Sequence, residues 1–317
     1  MVTDLRAHIV LLVGGVGGAK LAVGLANILS PDVLSIIVNT GDDFEHLGLH
    51  ISPDLDTVLY SLSKIANPKT GWGIADDTFR AMDMVDRYGE PTWFHLGDRD
   101  LATSLVRTSM LRQGQSLTDI ARHLAAGLDV RHPVLPMSNQ TVRTLLETDA
   151  GILGFQEYFV RERWEPVVKS IRFEGLESAH SSEAVKQALE CATLIIFGPS
   201  NPFLSIDPIL SVPDIREQIA KSLAPCIAVS PIIGGQAVKG PAAKLMIELG
   251  LDVSSLGIAK YYQDLLDGII LDTVDVELCE EIEKLHVRAA ARNTLMTTMV
   301  EKTELAASLL QWAEEIT

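Results

Sequence analysis

Residues Ile9–Ala26 read IVLLVGGVGGAKLAVGLA: an apolar β-branched run, a glycine turn, then a helical pattern. Ile9–Val13 has the composition of a buried strand, and Lys20–Leu29 carries apolar residues at helical spacing. Between them Gly14, Gly15, Gly17 and Gly18 leave the backbone bare. Bare amides beside a helix N-terminus can face an anion closely, because those N–H groups lack partners within the helix and the helix dipole favours negative charge. The alternative is a tight strand-to-helix turn with no ligand. Two familiar phosphate loops do not fit. A Walker loop needs Ser or Thr after Gly-Lys, whereas Lys20 follows Ala19 and precedes Leu21. A dinucleotide fingerprint started at Gly15 continues to Gly17 but meets Lys20 where its third glycine belongs.

A second apolar run, Val33–Val38, follows the helix, so the front of the chain is a βαβ unit. That predicts an α/β fold: a Rossmann-like parallel sheet flanked by helices. Helices are expected over Leu55–Lys64, with Ser52 as N-cap, and over Asp77–Tyr88, Leu101–Gln113 and Ser116–Leu128. Residues 66–130 thus read as a helical region, and Thr92–Leu96 within it as strand-like. Residues 131–175 mix β-branched and aromatic residues in partial alternation, the mark of a β-rich insertion. ATLIIFGPSNPF and APCIAVSPIIGG read as two further buried strands breaking into Pro/Gly/Ser loops, and Val276–Thr317 as two amphipathic helices. With no linker in sight, residues 1–317 are expected to form one domain. Ligands of such sheets sit at the carboxyl ends of the strands, where four loops should converge: Gly14–Gly18, Asn39–Pro53, Gly198–Ser205 and Ser230–Gly240.

With 42 acidic and 26 basic residues, the net charge is −16. Such a surface repels a phosphate polymer, so nucleic acid is not an expected partner. A small phosphorylated ligand needs only local positive potential and a divalent metal. Cys191, Cys226 and Cys279 lie far apart without metal-ligand or disulfide spacing, which fits a reducing cytoplasm. The opening MVTDLRAHIVLLVGG lacks a signal-peptide layout, and no run approaches the ~20 apolar residues of a spanning helix. The expectation is a cytoplasmic protein without membrane contact.

TGDDF puts Asp42 and Asp43 after the second strand, next to Thr40, and PDLDT puts Asp54 and Asp56 at the following helix. Four carboxylates flanking one loop are costly to gather unless a cation or protons neutralise them, and hard oxygen ligands beside a phosphate suit magnesium. A helix-dipole role for Asp54 and a turn role for Asp42 are the alternatives. In LGDRD, Asp98 and Asp100 flank Arg99, which could fork onto a phosphate or form a local ion pair. GPSNP offers Ser200 and Asn201 to a base or hydroxyl, or is only a turn. Trp72, between Gly71 and Gly73, could stack on a flat ring or simply pack. No histidine has metal-ligand spacing, and no nucleophile elbow or reactive-cysteine context is present.

Taken together, VGGVGGAKLAVGL, NTGDDFEHLGLHISPDLDTVLY, GWGIADDTF, LGDRDLATSLVR, LPMSNQTVRT, GPSNPFLSIDPIL, SPIIGGQAVKGPAAKLM and ARNTLMTT resemble the CofD family (FbiA in actinobacteria) along essentially the whole chain. The resemblance implies a 2-phospho-L-lactate transferase of coenzyme F420 biosynthesis. Such enzymes carry a 2-phospholactyl or phosphoenolpyruvyl group from a diphosphoguanosine donor to the ribityl hydroxyl of the deazaflavin Fo. Magnesium is required and GMP leaves. It further implies magnesium ligands among Asp42, Asp43, Asp54 and Asp56, and a diphosphate held by Gly14, Gly15, Gly17 and Gly18 near Thr40. Arg99 would offset charge, with Asp98 beside it; Ser200 and Asn201 would lie by the nucleotide, Trp72 and Asp76–Asp77 nearer the deazaflavin, and the 131–175 insertion would cover the substrate on that side. Family members often pair as homodimers. Some carry G-G-T-G-T-P at the glycine turn, where this chain has Gly18, Ala19 and Lys20. Two rival readings are a gluconeogenesis-factor-like regulator that binds nucleotide-sugars and an NAD-dependent oxidoreductase using Asp42 as its ribose acid. The sequence leaves open which three-carbon acid the donor carries.

Overall fold

The computed structural model describes residues 7–316; Met1–Arg6, on which part of the leader reading rests, and Thr317 lie outside the described residues. β1 (Ile9–Val13) runs into α1 (Gly15–Ala26), β2 (Leu34–Val38) and a hairpin of β3 (Phe44–His46) and β4 (Leu49–Ile51). Then come α2 (Pro53–Leu62), α3 (Arg80–Arg87), α4 (Asp98–Arg112), α5 (Leu117–Gly127) and β5 (Val134–Pro136). The β-rich stretch is a three-stranded antiparallel sheet of β6 (Arg143–Thr148), β7 (Gly151–Gly154) and β8 (Val168–Glu174), in the order β7-β6-β8. Further on stand α6 (Glu183–Glu190), β9 (Leu194–Phe197), α7 (Asp207–Ser211), α8 (Pro213–Lys221) and β10 (Cys226–Val229). The chain ends with a small hairpin, β11 (Ile232–Ile233) and β12 (Gln236–Ala237), then α9 (Ala242–Glu248), α10 (Ser255–Tyr261), β13 (Gly268–Asp272), α11 (Cys279–Glu283), β14 (Arg288–Arg292) and α12 (Met299–Ile316).

The central sheet has the order β14-β13-β10-β9-β1-β2-β5, with every neighbouring pair parallel. Both faces of such a sheet are covered, so its central strands are apolar throughout. All five residues of β1 are fully buried. Ile9, Leu11 and Val13 pack on one side with Leu21 and Leu25 of α1 and Leu309 of α12; Val10 and Leu12 pack on the other with Phe197, Ile209 and Ile215. The connection after β1 therefore leaves to one face and the one after β9 to the other. β1 and β9 are neighbours, so this is a topological switch point, where the sheet opens a crevice at its carboxyl edge.

Several boundaries differ from the sequence expectation for identifiable reasons. The glycines are not a loop: α1 begins at Gly15, whose φ of +61° favours glycine, so Gly15, Gly17 and Gly18 form its first turn. The polar segment after β2 contains the β3–β4 hairpin. Thr92–Leu96 is not a strand. The third helix starts at Arg80 rather than Asp77, because the Asp77 carboxylate accepts from the Arg99 and Asp100 amides and so caps α4. Two strands passed unnoticed. β13 is a short run inside a helix-rich segment, and β14, Arg288–Arg292, is an alanine-centred edge strand with little β-propensity. The expected pair of tail helices is accordingly the five-residue α11, then β14, then α12. α12 lies close on α1: a Cβ on Gly24 would meet the Lys302 carbonyl at 2.2 Å. Among the described residues no helix is long and apolar enough to cross a membrane, and the three cysteines are unpaired.

Candidate functional site

The site forms where β1, β2 and β9 end. Asn39, directly after β2, is fully buried, and its side-chain amide donates to Asp42 Oδ1, to Asp54 Oδ2 at 2.9 Å and to the Leu204 carbonyl at 3.1 Å. Asp54 sits in the first turn of α2, and its Oδ1 accepts from the Gly15 amide at 2.7 Å. One asparagine thus gathers two carboxylates from different ends of the loop and sets them on the α1 N-terminus. Burial raises the Asp42 carboxyl well above its ordinary value, with the Asp54 charge adding to it; burial also pushes Asp54 up to about 6.

Asp43 turns the other way. Its Oδ1 accepts from Ser52 Oγ at 2.7 Å, so Ser52 serves Asp43 rather than capping α2. Its buried Oδ2 accepts no hydrogen bond and lies 3.7 Å from His50 Nε2. Burial raises this carboxyl well above its usual range too, while burial and the Arg107 charge lower His50 to about 4, leaving the imidazole neutral at neutral pH. Asp56 faces inward to Arg107, a completely buried guanidinium on α4 that also donates to the His50 carbonyl at 3.2 Å. Burial alone would lower Arg107, but the Asp56 and Asp43 carboxylates outweigh it and keep the group charged. Behind this pair Tyr60 donates to Asp100 Oδ1 at 2.8 Å, and burial followed by the Asp56 charge pushes Asp100 up to about 7.

Beyond Asp43 opens a cavity of about 400 Å³, lined among others by Thr40, His50, Thr108, Asn139, Gln140 and Arg143. Thr40 Oγ1, Asp43 Oδ2 and His50 Nδ1 are buried without a hydrogen-bond partner. Buried polar atoms are normally satisfied, and these three belong to residues that line one cavity. A larger groove of about 660 Å³ runs beside β8, Asp207, Tyr261 and Tyr262. There Asp207 is already satisfied by both tyrosine hydroxyls, at 2.6 and 3.2 Å.

The remaining candidates have defined local partners. Ser200 Oγ bridges Gly14, accepting from its amide at 3.2 Å and donating to its carbonyl at 2.8 Å. Asn201 Oδ1 caps the turn after β9 through the Phe203 and Leu204 amides. Asp98 accepts from Thr78 Oγ1 and the Ala81 amide, and Arg99 donates to the Ala75 and Asp76 carbonyls at 3.0 and 2.7 Å. LGDRD therefore ties the start of α4 to the 75–81 segment, and Arg99 lies over that segment rather than on the Asp42–Asp54 pair. Trp72 is 52% exposed at a loop tip. Asn39, Arg107 and Tyr60 escape the sequence reading, which names Asp100 only as a flank of Arg99 and assigns no role to His50. Arg107 and Tyr60 are single polar letters inside helical patterns and give no signal, although the fourfold spacing of Ser104 and Thr108 around Arg107 does mark a polar inner face on α4.

The glycines carry a structural demand of their own. A Cβ on Gly17 would sit 2.2 Å from the Pro199 carbonyl, and one on Gly18 2.5 Å from Ser200 Oγ. Bare backbone at Gly17 thus lets the β9 loop approach α1, whatever the ligand does. Gly17→Ala is expected to cost about 1–3 kcal/mol by overpacking, read as a lowered melting temperature; an unchanged melting temperature refutes the close approach.

A family model described as 2-phospho-L-lactate transferase CofD matches residues 9–307. The chain is 42% identical over 298 residues to the 2-phospho-L-lactate transferase of Methanosarcina mazei, covering 94% of this chain and 98% of that protein. It is 40% identical over 315 residues to the phosphoenolpyruvate transferase of Streptomyces griseus, covering 98% and 99%. A solved structure from Bacillus halodurans, described as a member of the UPF0052 family, superposes with a TM-score of 0.63 at 17% identity over 96% of this chain and 99% of that one, a likeness of fold alone.

Proposed function

The chain belongs to the 2-phospho-L-lactate transferase CofD family, a family of transferases. From that premise we propose that it moves a 2-phospholactyl or phosphoenolpyruvyl group from a diphosphoguanosine donor to the ribityl hydroxyl of Fo. The observation that carries this reading is the Asp42–Asn39–Asp54 bridge standing on the Gly15 amide, with the polar cavity on the far side of Asp43. It gives one side for an anionic donor and another for a hydroxyl-rich acceptor.

Asp42 and Asp54 fit a magnesium ion: two buried carboxylates are held together at the positive end of a helix, and burial raises both. Among the described residues no group of three or more His, Cys, Asp or Glu forms a cage. Magnesium needs none, since it is commonly held by one or two carboxylates together with substrate phosphates. When bound, it neutralises the diphosphate. The α1 amides hold the donor's oxygens, and the buried walls exclude water. Asp43 Oδ2, free of any hydrogen bond, orients the acceptor hydroxyl and takes its proton, a task its raised affinity for protons suits. The hydroxyl oxygen then bonds to phosphorus as the bridging P–O bond breaks, and the electron pair departs with GMP. Positioning and charge neutralisation supply most of the rate. Asp56 acts through Arg107 as a positioning group.

Purified protein incubated with Fo, magnesium and each candidate donor is expected to yield one phosphodiester product and GMP by mass spectrometry. EDTA should stop the transfer and added magnesium restore it. No product with any donor, or full activity in EDTA, overturns the reading.

A further inference from the structure

Three lysines gather on one flank of the glycine helix. Lys20 lies one turn beyond Val16 on α1, Lys239 lies in the loop after β12, and Lys302 lies on α12. Burial first, and the Lys20 charge second, push the Lys239 and Lys302 ammonium groups below the ordinary lysine value. Among the described residues no carboxylate pairs with any of the three, in a chain carrying 42 acidic residues. Lys302 lies against the far end of the helix, where a Cβ on Gly24 would meet its carbonyl, whereas Lys20 and Lys239 bring like charges together toward the positive end of α1. That arrangement is unfavourable on its own and becomes favourable around an anion.

A second observation fixes what covers this flank. The Lys239 ammonium donates to the Thr70 carbonyl. Gly71, at φ +79°, packs so closely that a Cβ would meet Val16 Cγ1 at 2.6 Å and Lys239 Nζ at 3.4 Å. Thr70 Oγ1 donates to the Trp72 carbonyl at 2.6 Å, tightening the turn. The Thr70–Gly73 loop therefore crosses the first turn of α1 and is fastened by a lysine from the β12 loop. The aspartates occupy the β2 side of the same helix end.

We propose that Lys239, with Lys20 beside it, grips the phosphates of the departing nucleoside, and that its bond to Thr70 straps the Thr70–Gly73 loop over them. The inference rests on the transferase reading and adds a direction to it: the acceptor enters past Asp43 and the nucleotide leaves on the lysine side. An ammonium has three N–H donors. Thr70 takes one, and the others can meet phosphate oxygens as negative charge builds on the leaving group. Trp72, at the tip of the strap, reports closure.

The test uses GDP alone as probe, with the full chain. Lys239→Met is expected to weaken GDP binding about 10- to 100-fold, the loss of a charge-assisted hydrogen bond. Lys239→Arg should recover part of it, and the Fo KM should stay unchanged. Trp72 emission, taken as wild type minus Trp72→Phe, should become more accessible to acrylamide in Lys239→Met and lose its shielding by GDP. Gly71→Ala, which lifts the strap from Val16 while keeping the charge, should expose Trp72 in the same way. Unchanged GDP affinity in Lys239→Met, or a Trp72 equally shielded in it, overturns the inference while transfer proceeds in the parent. A wild type that neither binds GDP nor transfers overturns the transferase reading instead.

Discussion

Asp42→Asn is expected to lower turnover about 10²- to 10³-fold while leaving the protein at least as stable as its parent. Asp42 is buried against Asp54, and both carboxyls are raised by burial. A carboxyl whose folded value lies above the ordinary 3.8 binds protons more tightly in the native state than in the unfolded chain. Its contribution therefore falls as pH rises from 3.8 through the raised value, and at neutral pH its charge is a burden on the fold. An asparagine there can still accept from Asn39 through its carbonyl oxygen, so the neutral variant should gain about 1–2 kcal/mol, as relieved functional sites commonly do. The comparison belongs in EDTA, because bound magnesium would stabilise the parent. Melting curves from pH 5 to 8 should slope less in the variant. Parental turnover at saturating magnesium, or a clear loss of stability without metal, would sink the assignment of Asp42.

Arg107 gives the opposite signature. Arg107→Met leaves Asp56 charged and unpaired in the interior, and Asp56→Asn strands a guanidinium that has no exposed surface. Breaking a buried pair from one side costs about 3–5 kcal/mol, whereas replacing both partners by apolar residues is often neutral. Each single variant should therefore melt on the order of 10 °C lower, and Arg107→Met with Asp56→Leu should recover most of the loss. The β3–β4 hairpin should loosen in the single Arg107 variant, because the arginine also holds the His50 carbonyl. Calorimetry decides the matter: single variants within about 1 kcal/mol of wild type would mean that the pair is not a buried one. Asp42 and Asp56 are fourteen residues apart in one acidic segment, yet one should trade stability for activity and the other should supply stability.

That contrast marks the limit of what the acidic pattern told. TGDDF and PDLDT announced four carboxylates around one loop, but their letters do not distinguish one that faces another carboxylate across Asn39 from one that faces Arg107 on α4. The partner of Asp56 lies fifty-one residues away, and no local period encodes such a meeting. Gly17 is a parallel case. The sequence reads its missing side chain as room for an anion or as a tight turn, and the structure sets the Pro199 carbonyl against it. LGDRD reads as an ion pair or a phosphate fork; Arg99 does lie 3.8 Å from the Asp77 carboxylate, and the segment fastens one helix start to the preceding stretch.

The sequence by itself determined the α/β class and the β1–α1–β2 opening, and pointed to the carboxyl edge of the sheet where the candidate site lies. Strand and helix periods, and the apolar saturation of strands buried on both faces, are local properties of the chain. It also carried the family, because long motifs in fixed order persist along the whole length. Only the tertiary structure decided which polar side chains meet. Asn39 joining two carboxylates, Arg107 neutralising another and Lys239 reaching the Thr70 carbonyl are contacts between distant segments. Their energies depend on burial and on the neighbouring charge, and neither exists until the sheet has closed and its helices have packed.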